Sequence, residues 1–147
     1  MNISNQGIEF IKKHEGLRLT AYRCTSNVLT IGYGHTGGVK AGQTITAAKA
    51  EEFLRSDLLA AETAVNTLVK VELSQHQYDA LVSFTFNVGA GSLKRSMLLF
   101  VINEKSSNNT IECQFMRWVH SGGKVSKGLK SRRTEEVDLY INGNYGK

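Results

Sequence analysis

The chain has 147 residues, 41% of them hydrophobic and 21% charged, which suffices for one domain burying about two thirds of its unfolded surface and leaves no room for a second. It opens on no basic-then-apolar leader and holds no apolar run of about eighteen residues, so the expectation is a chain made in the cytoplasm with no stable membrane anchor. Its net charge of +5 and six basic residues from Arg117 to Arg133 without an acidic one suit a polyanion, and no base-stacking motif or zinc finger accompanies them to favour nucleic acid.

Residues 4–14 set Ile8, Phe10 and Ile11 among polar neighbours behind Ser4 or Asn5 as N-cap, which predicts a short amphipathic helix delivering His14 and Glu15 at its end. From Gly16 to Thr44 glycine and β-branched residues dominate. Val28-Leu29-Thr30-Ile31-Gly32, between Thr25-Ser26-Asn27 and Gly37-Gly38, predicts a small sheet of short strands. Thr46 then caps a helix with Phe53, Leu54, Leu58, Ala61, Val65 and Leu68 in register, ending near Lys70. Ser74-x-x-Gln77 is a capping box for a buried central helix running through Tyr78, Leu81, Val82 and Phe84 to a stop at Gly89-Ala90-Gly91.

Three further helices are expected: about 92–104, about 109–120 with Asn109 and Glu112 as capping pair, and about 126–142 closed by Gly143. The fold class is therefore α+β. A small β-containing lobe over about 16–45 and a larger helical lobe over about 46–147 would form one domain, 1–147, with a ligand-binding cleft between them.

Glu15 alone would be an ordinary solvated charge at a helix end. At the junction with the β-rich segment, partial desolvation would keep its carboxyl protonated near neutrality, as a general acid for a glycosidic oxygen requires. Glycosidases normally pair two carboxylates, yet no Asp or Glu lies between Gly16 and Ala50. Cys24 stands where the second is expected, and a thiol of ordinary pKa, about 8.5, acts as base or nucleophile only where neighbours stabilise the thiolate. Arg23 is adjacent in sequence, although neighbouring strand residues face opposite sides.

Thr30 offers a hydroxyl that both accepts and donates, enough to hold a water beside an anomeric carbon. Gly32-x-Gly34 lets the backbone approach a ligand closely, and lacks the third glycine of a phosphate loop. His35 would orient the strand by hydrogen bonds. The two cysteines, Cys24 and Cys113, are too far apart in sequence for a paired motif, and Cys113 between Ile111 and Phe115 is expected in the core. Four histidines never fall at i, i+4, so no metal site and no cofactor are expected.

These residues lie within longer motifs: Glu15-Gly16-Leu17-Arg18-Leu19, Thr30-Ile31-Gly32-Tyr33-Gly34-His35-Thr36, Gln77-Tyr78-Asp79-Ala80-Leu81, Phe86-Asn87-Val88-Gly89, Trp118 with Gly122-Gly123-Lys124, and Gly128-Leu129 with Arg132-Arg133. In this order, across nearly the whole chain, they resemble the phage-type lysozymes, glycoside hydrolase family 24, which include the endolysins of tailed phages. The resemblance implies a lysozyme-like fold and hydrolysis of the β-1,4 bond between N-acetylmuramic acid and N-acetylglucosamine in bacterial peptidoglycan, for host cell lysis. It also implies the wall as partner of the basic stretch, release of a monomeric chain through a holin pore, and action in the periplasm.

The family's glutamate and threonine map onto Glu15 and Thr30, and its middle aspartate is Cys24 here, similar to a subset that carries cysteine. Its substrate-binding positions match Thr36, Phe86 and Ser96, with Phe86 equally readable as core. An arginine supporting the acid falls on Arg132 or Arg133. Three rival readings remain: a peptidoglycan-binding module that has lost catalysis, a wall peptide hydrolase with Cys24 as nucleophile and His35 as base, and a glycosidase that forms an anhydro sugar without water.

Overall fold

A computed structural model describes residues 1–146. In chain order the elements are α1 (Asn5–Glu15), β1 (Arg18–Arg23), β2 (Leu29–Gly32), α2 (Ala47–Leu68), α3 (Gln75–Val88), α4 (Ala90–Arg95), α5 (Met97–Asn103), α6 (Asn108–Phe115), β3 (His120–Ser121), β4 (Lys124–Val125) and α7 (Lys127–Asn142). The chain is thus mainly helical with small antiparallel pairs, β1 with β2 and β3 with β4. None of its described helices is long and apolar enough to cross a membrane.

Side-chain caps set most helix starts. Ser4 Oγ accepts from the Gly7 amide at 3.0 Å, and Thr46 Oγ1 accepts from the Lys49 amide at 3.1 Å. The box at α3 is complete, with Ser74 Oγ accepting from the Gln77 amide at 3.4 Å and Gln77 Oε1 accepting from the Ser74 amide at 3.0 Å. Such caps satisfy amides that the first helical turn leaves without partners.

Contacts divide the chain into two units, Ile8–Leu59 and Met1–Gly7 with the chain from Ala60 onward. In the first, β1 and β2 pair Tyr22 with Thr30 and Arg23 with Leu29, with an irregularity between Arg18 and Tyr22. The segment before α2 pairs along β1 as well, through Ala21 N–H to Gln43 O at 2.8 Å and Ile45 N–H to Leu19 O at 2.9 Å. Ile8, Phe10, Ile11, Ile31, Ala50, Leu54 and Leu58 form its core. Gly32, at φ +68°, lies so near α2 that a Cβ there would be 3.3 Å from that of Ala50, so glycine serves both the left-handed backbone and the close approach.

In the second unit α3 packs against α7, and its run from Tyr78 to Thr85 is buried throughout. Phe84 meets Phe115 and Trp118 edge-on at 5.5 and 5.6 Å between centroids, a favourable quadrupole geometry. A buried ionic network joins α7 to this core: Glu136 takes Arg132 Nε at 3.1 Å, Ser83 Oγ at 2.6 Å, and an Arg133 Nη.

Four expectations from sequence are corrected. The single helix over 92–104 is two, α4 and α5, because Ser96 adopts an extended backbone and caps the second by accepting from the Leu99 amide at 3.0 Å. The next helix starts behind Ser107, which accepts from the Thr110 amide at 3.3 Å, rather than behind Asn109, and ends at Phe115. Cys113 is exposed, since Ile111 and Phe115 take the inward face of α6. Of the six basic residues, Arg132 and Arg133 are buried in the Glu136 network, leaving Arg117, Lys124, Lys127 and Lys130 at the surface.

Candidate active site

Glu15 is the last residue of α1, which ends as Gly16 takes φ +70° and donates to Lys12 O at 3.0 Å. Its carboxylate is half-buried and lies over the turn that follows β2: a Cβ on Gly34, at φ +86°, would sit 3.3 Å from Glu15 Oε1. Any side chain at position 34 would therefore crowd the carboxylate.

Cys24 begins the β1–β2 turn. Its carbonyl accepts from Asn27 N–H at 2.8 Å, its own N–H donates to Val28 O at 3.0 Å, and Asn27 holds a left-handed φ of 61°. The half-buried sulfur faces donors. The amides of Val28 and Ser26, then the Thr30 hydroxyl and its own amide, pull the thiol below its ordinary pKa against a smaller opposing effect of burial. Arg23 does not assist; its guanidinium donates to Asn27 O at 3.2 Å and braces the turn.

Thr30 is only 3% exposed and donates to Val28 O at 2.9 Å. One hydroxyl proton serves only one acceptor. With a neutral thiol it rests on the Val28 carbonyl, and a thiolate would offer it a second acceptor.

His35 stacks on Phe53 at 4.1 Å and 11°. Its Nδ1 lies 2.8 Å from Asp57 Oδ2 and its Nε2 2.9 Å from Gly37 O. Both ring nitrogens are thus engaged, by a carboxylate and a backbone carbonyl, and neither is left to face Cys24. Thr36, next along, is exposed.

The remaining sequence-predicted residues lie in the other unit. Phe86 is half-buried on α3. Ser96, 8% exposed, donates to Leu93 O at 2.8 Å as well as capping α5. Arg132 Nη2 donates to Ser83 O at 3.2 Å. Arg133 directs Nε to Trp118 O at 2.9 Å and its Nη groups to Glu136 and Asn87, which makes it a structural tie within its unit.

The phage lysozyme family pattern matches residues 12–136. The chain belongs to the phage lysozyme family. Curated relatives include the endolysin of Bacillus phage PZA, 47% identical over 97% of this chain and 56% of its own, and the endolysin of Salmonella phage P22, 40% identical over 96% and 99%. The chain spans about half the length of the Bacillus phage relatives it matches. Among solved structures, the endolysin from Escherichia coli O157:H7 phage FAHEc1 superposes with a TM-score of 0.93 at 36% identity, covering 100% of this chain and 98% of that one. The small antiparallel sheet within a mainly helical chain is therefore a lysozyme-like fold.

Within the first unit, sequence reading missed Asp57 as a partner of His35. Its signal is faint: Phe53 and Asp57 stand at i, i+4, so one face of α2 offers a ring to stack on and a carboxylate to bond. Lys12 and Glu51 were also passed over. They form an ion pair tying α1 to α2 within the first unit, with Lys12 further bound to Glu9 at 2.9 Å.

Proposed function

We propose that the chain is an N-acetylmuramidase that hydrolyses the β-1,4 bond between N-acetylmuramic acid and N-acetylglucosamine of bacterial peptidoglycan, working as one lysozyme domain in host cell lysis. The observation that carries it is the gathering, in one unit, of the Glu15 carboxyl over the Gly34 backbone and a Cys24 thiol paired with the Thr30 hydroxyl. Glu15 protonates the leaving oxygen. Thr30 holds the water with the lone pairs that remain to its oxygen. Cys24, drawn toward the thiolate by the turn amides, either removes a proton from that water or attacks the anomeric carbon. The first route inverts the anomeric centre and the second retains it.

Thr36 in the first unit, and Phe86 and Ser96 in the second, are proposed to bind substrate, while Arg132 and Arg133 tie their helix to the core of the second unit. Wall carboxylates would meet the four exposed basic residues. The rival of a Cys24–His35 peptide hydrolase is disfavoured because Asp57 and Gly37 occupy both nitrogens of His35. We also place the chain as a monomer released from the host cytoplasm through a holin pore, binding no nucleic acid.

The test is digestion of purified walls. New reducing ends, with the anomer of the fresh product read by NMR, are the expected result. New amino ends without reducing ends would support the peptide hydrolase, and sedimentation with walls without cleavage would support a binding module.

A further inference from the structure

In the second unit a cavity of about 520 Å³ opens where the approach to α3, the α5–α6 connection and α7 meet. This lies within the size range of small-ligand sites, about 300–1,000 Å³. Its floor is aliphatic, with Ile102 and Ile111 at 2% and 5% exposure. Its rim carries the exposed Lys105 and the exposed Lys70, whose ammonium also donates to Thr67 O at 2.6 Å, against one carboxylate, Glu72, an excess of positive charge. Tyr140, 4% exposed, also lines it. No described group hydrogen-bonds to its hydroxyl, and burial pushes its pKa up to about 12, so it stays a donor at any physiological pH. Its oxygen is open to water rather than sealed away, so a ligand in the cavity can reach it.

We propose that this cavity binds a short aliphatic peptide ending in a free carboxylate. The ammonium groups take the carboxylate, the isoleucines take the aliphatic side chains, and Tyr140 donates to a peptide carbonyl. Inorganic phosphate fits less well, since an aliphatic floor gives a strongly hydrated tetrahedral ion nothing in exchange for its water. The source of the peptide rests on the muramidase reading: wall glycan carries short peptides that end in D-alanine, and a site in this unit would hold the enzyme to its polymer between cleavages. Retention of this kind raises the local concentration of the next bond without any new contact at the catalytic residues.

The experiment is NMR titration of the full ¹⁵N-labelled chain with N-acetyl-D-alanyl-D-alanine and, in parallel, with its C-terminal amide. The expected result is saturable shifts at Lys105, Ile111 and Tyr140 with the acid. Affinity should fall about tenfold for the amide and for each of Lys105→Gln and Tyr140→Phe, the scale of losing one hydrogen bond. Equal binding of acid and amide, shifts confined to residues 8–59, or unchanged affinity in both variants would overturn the proposal. Wall digestion by the same sample separates the two readings. Titration without cleavage would leave the cavity standing and remove the muramidase, and cleavage without titration would do the reverse.

Discussion

Asp57→Ala removes one of the contacts that hold the turn beside Glu15. It removes the acceptor 2.8 Å from His35 Nδ1 and leaves the stacking of His35 on Phe53 in place. A hydrogen bond to a charged group such as the Asp57 carboxylate contributes about 1.5–3 kcal/mol. The two side chains are 14% and 30% exposed, so water moderates the interaction and a loss of about 1–2 kcal/mol is expected. For a chain of this size that corresponds to a fall in Tm of roughly 3–6 °C. Because His35 follows Gly34, whose backbone borders the Glu15 carboxylate, kcat on walls should fall more than KM rises. A double-mutant cycle with His35→Ala, read by urea denaturation, should give a coupling of about 1 kcal/mol or more. Additive losses, or a Tm within about 1 °C of wild type, would refute the anchoring role.

Iodoacetamide should label Cys24 with a pH midpoint below that of a free cysteine thiol. Thr30→Val, which removes one donor to the sulfur, should move the midpoint upward; an unchanged midpoint would mean the amides act alone. Glu51 is held below its ordinary value of 4.5 by its bonds to Lys12 and Arg55. Burial alone would lower the Lys12 ammonium, but bonds to Glu51 and Glu9 outweigh it and raise it above 10.5. Glu51 therefore stabilises fully above its unfolded pKa and loses the contribution as pH falls through its folded one, while the Lys12 contribution is lost only as pH rises through its raised value. Glu51→Gln should lower stability by roughly 0.2–1 kcal/mol at neutral pH and by nothing in acid; a constant difference across pH would contradict the pairing. Asp79 accepts from Ser4 N at 3.1 Å, Gln75 Nε2 at 2.9 Å and Tyr145 Oη at 2.7 Å. Asp79→Ala strands these donors and should cost about 3 kcal/mol in urea unfolding, whereas a loss below about 1 kcal/mol would mean that water replaces the carboxylate.

What the sequence disclosed about the fold was mostly local chemistry. Thr46, the Ser74–Gln77 box, Ser126 and Gly143 each state a helix boundary through a side chain or a left-handed glycine acting within a few residues. Ser96 was harder, because a serine within an apolar helical pattern reads as tolerated until its hydroxyl is seen to cap the following turn. The β3–β4 hairpin hides in the same way. Its Gly122-Gly123 turn is legible, but strands of two residues leave no period to detect.

At the site, Glu15, Cys24 and Thr30 were legible as residue types suited to a chemistry. What lowers the Cys24 thiol was not, since it comes from backbone amides of a turn rather than from Arg23. Tertiary partners such as Asp57 for His35, and Glu136 for Arg132 and Arg133, leave little trace in sequence. Any surface acid could fill that place, and only packing selects one.

The central claim, a general acid at Glu15, is tested most directly by counting reducing ends released from purified walls by wild type and by Glu15→Gln. Glutamine keeps the size of the side chain and removes only its acidic proton. The expected result is that release falls to background while the thermal transition of the variant stays near that of wild type. Release at the wild-type rate by a folded Glu15→Gln protein would contradict the account.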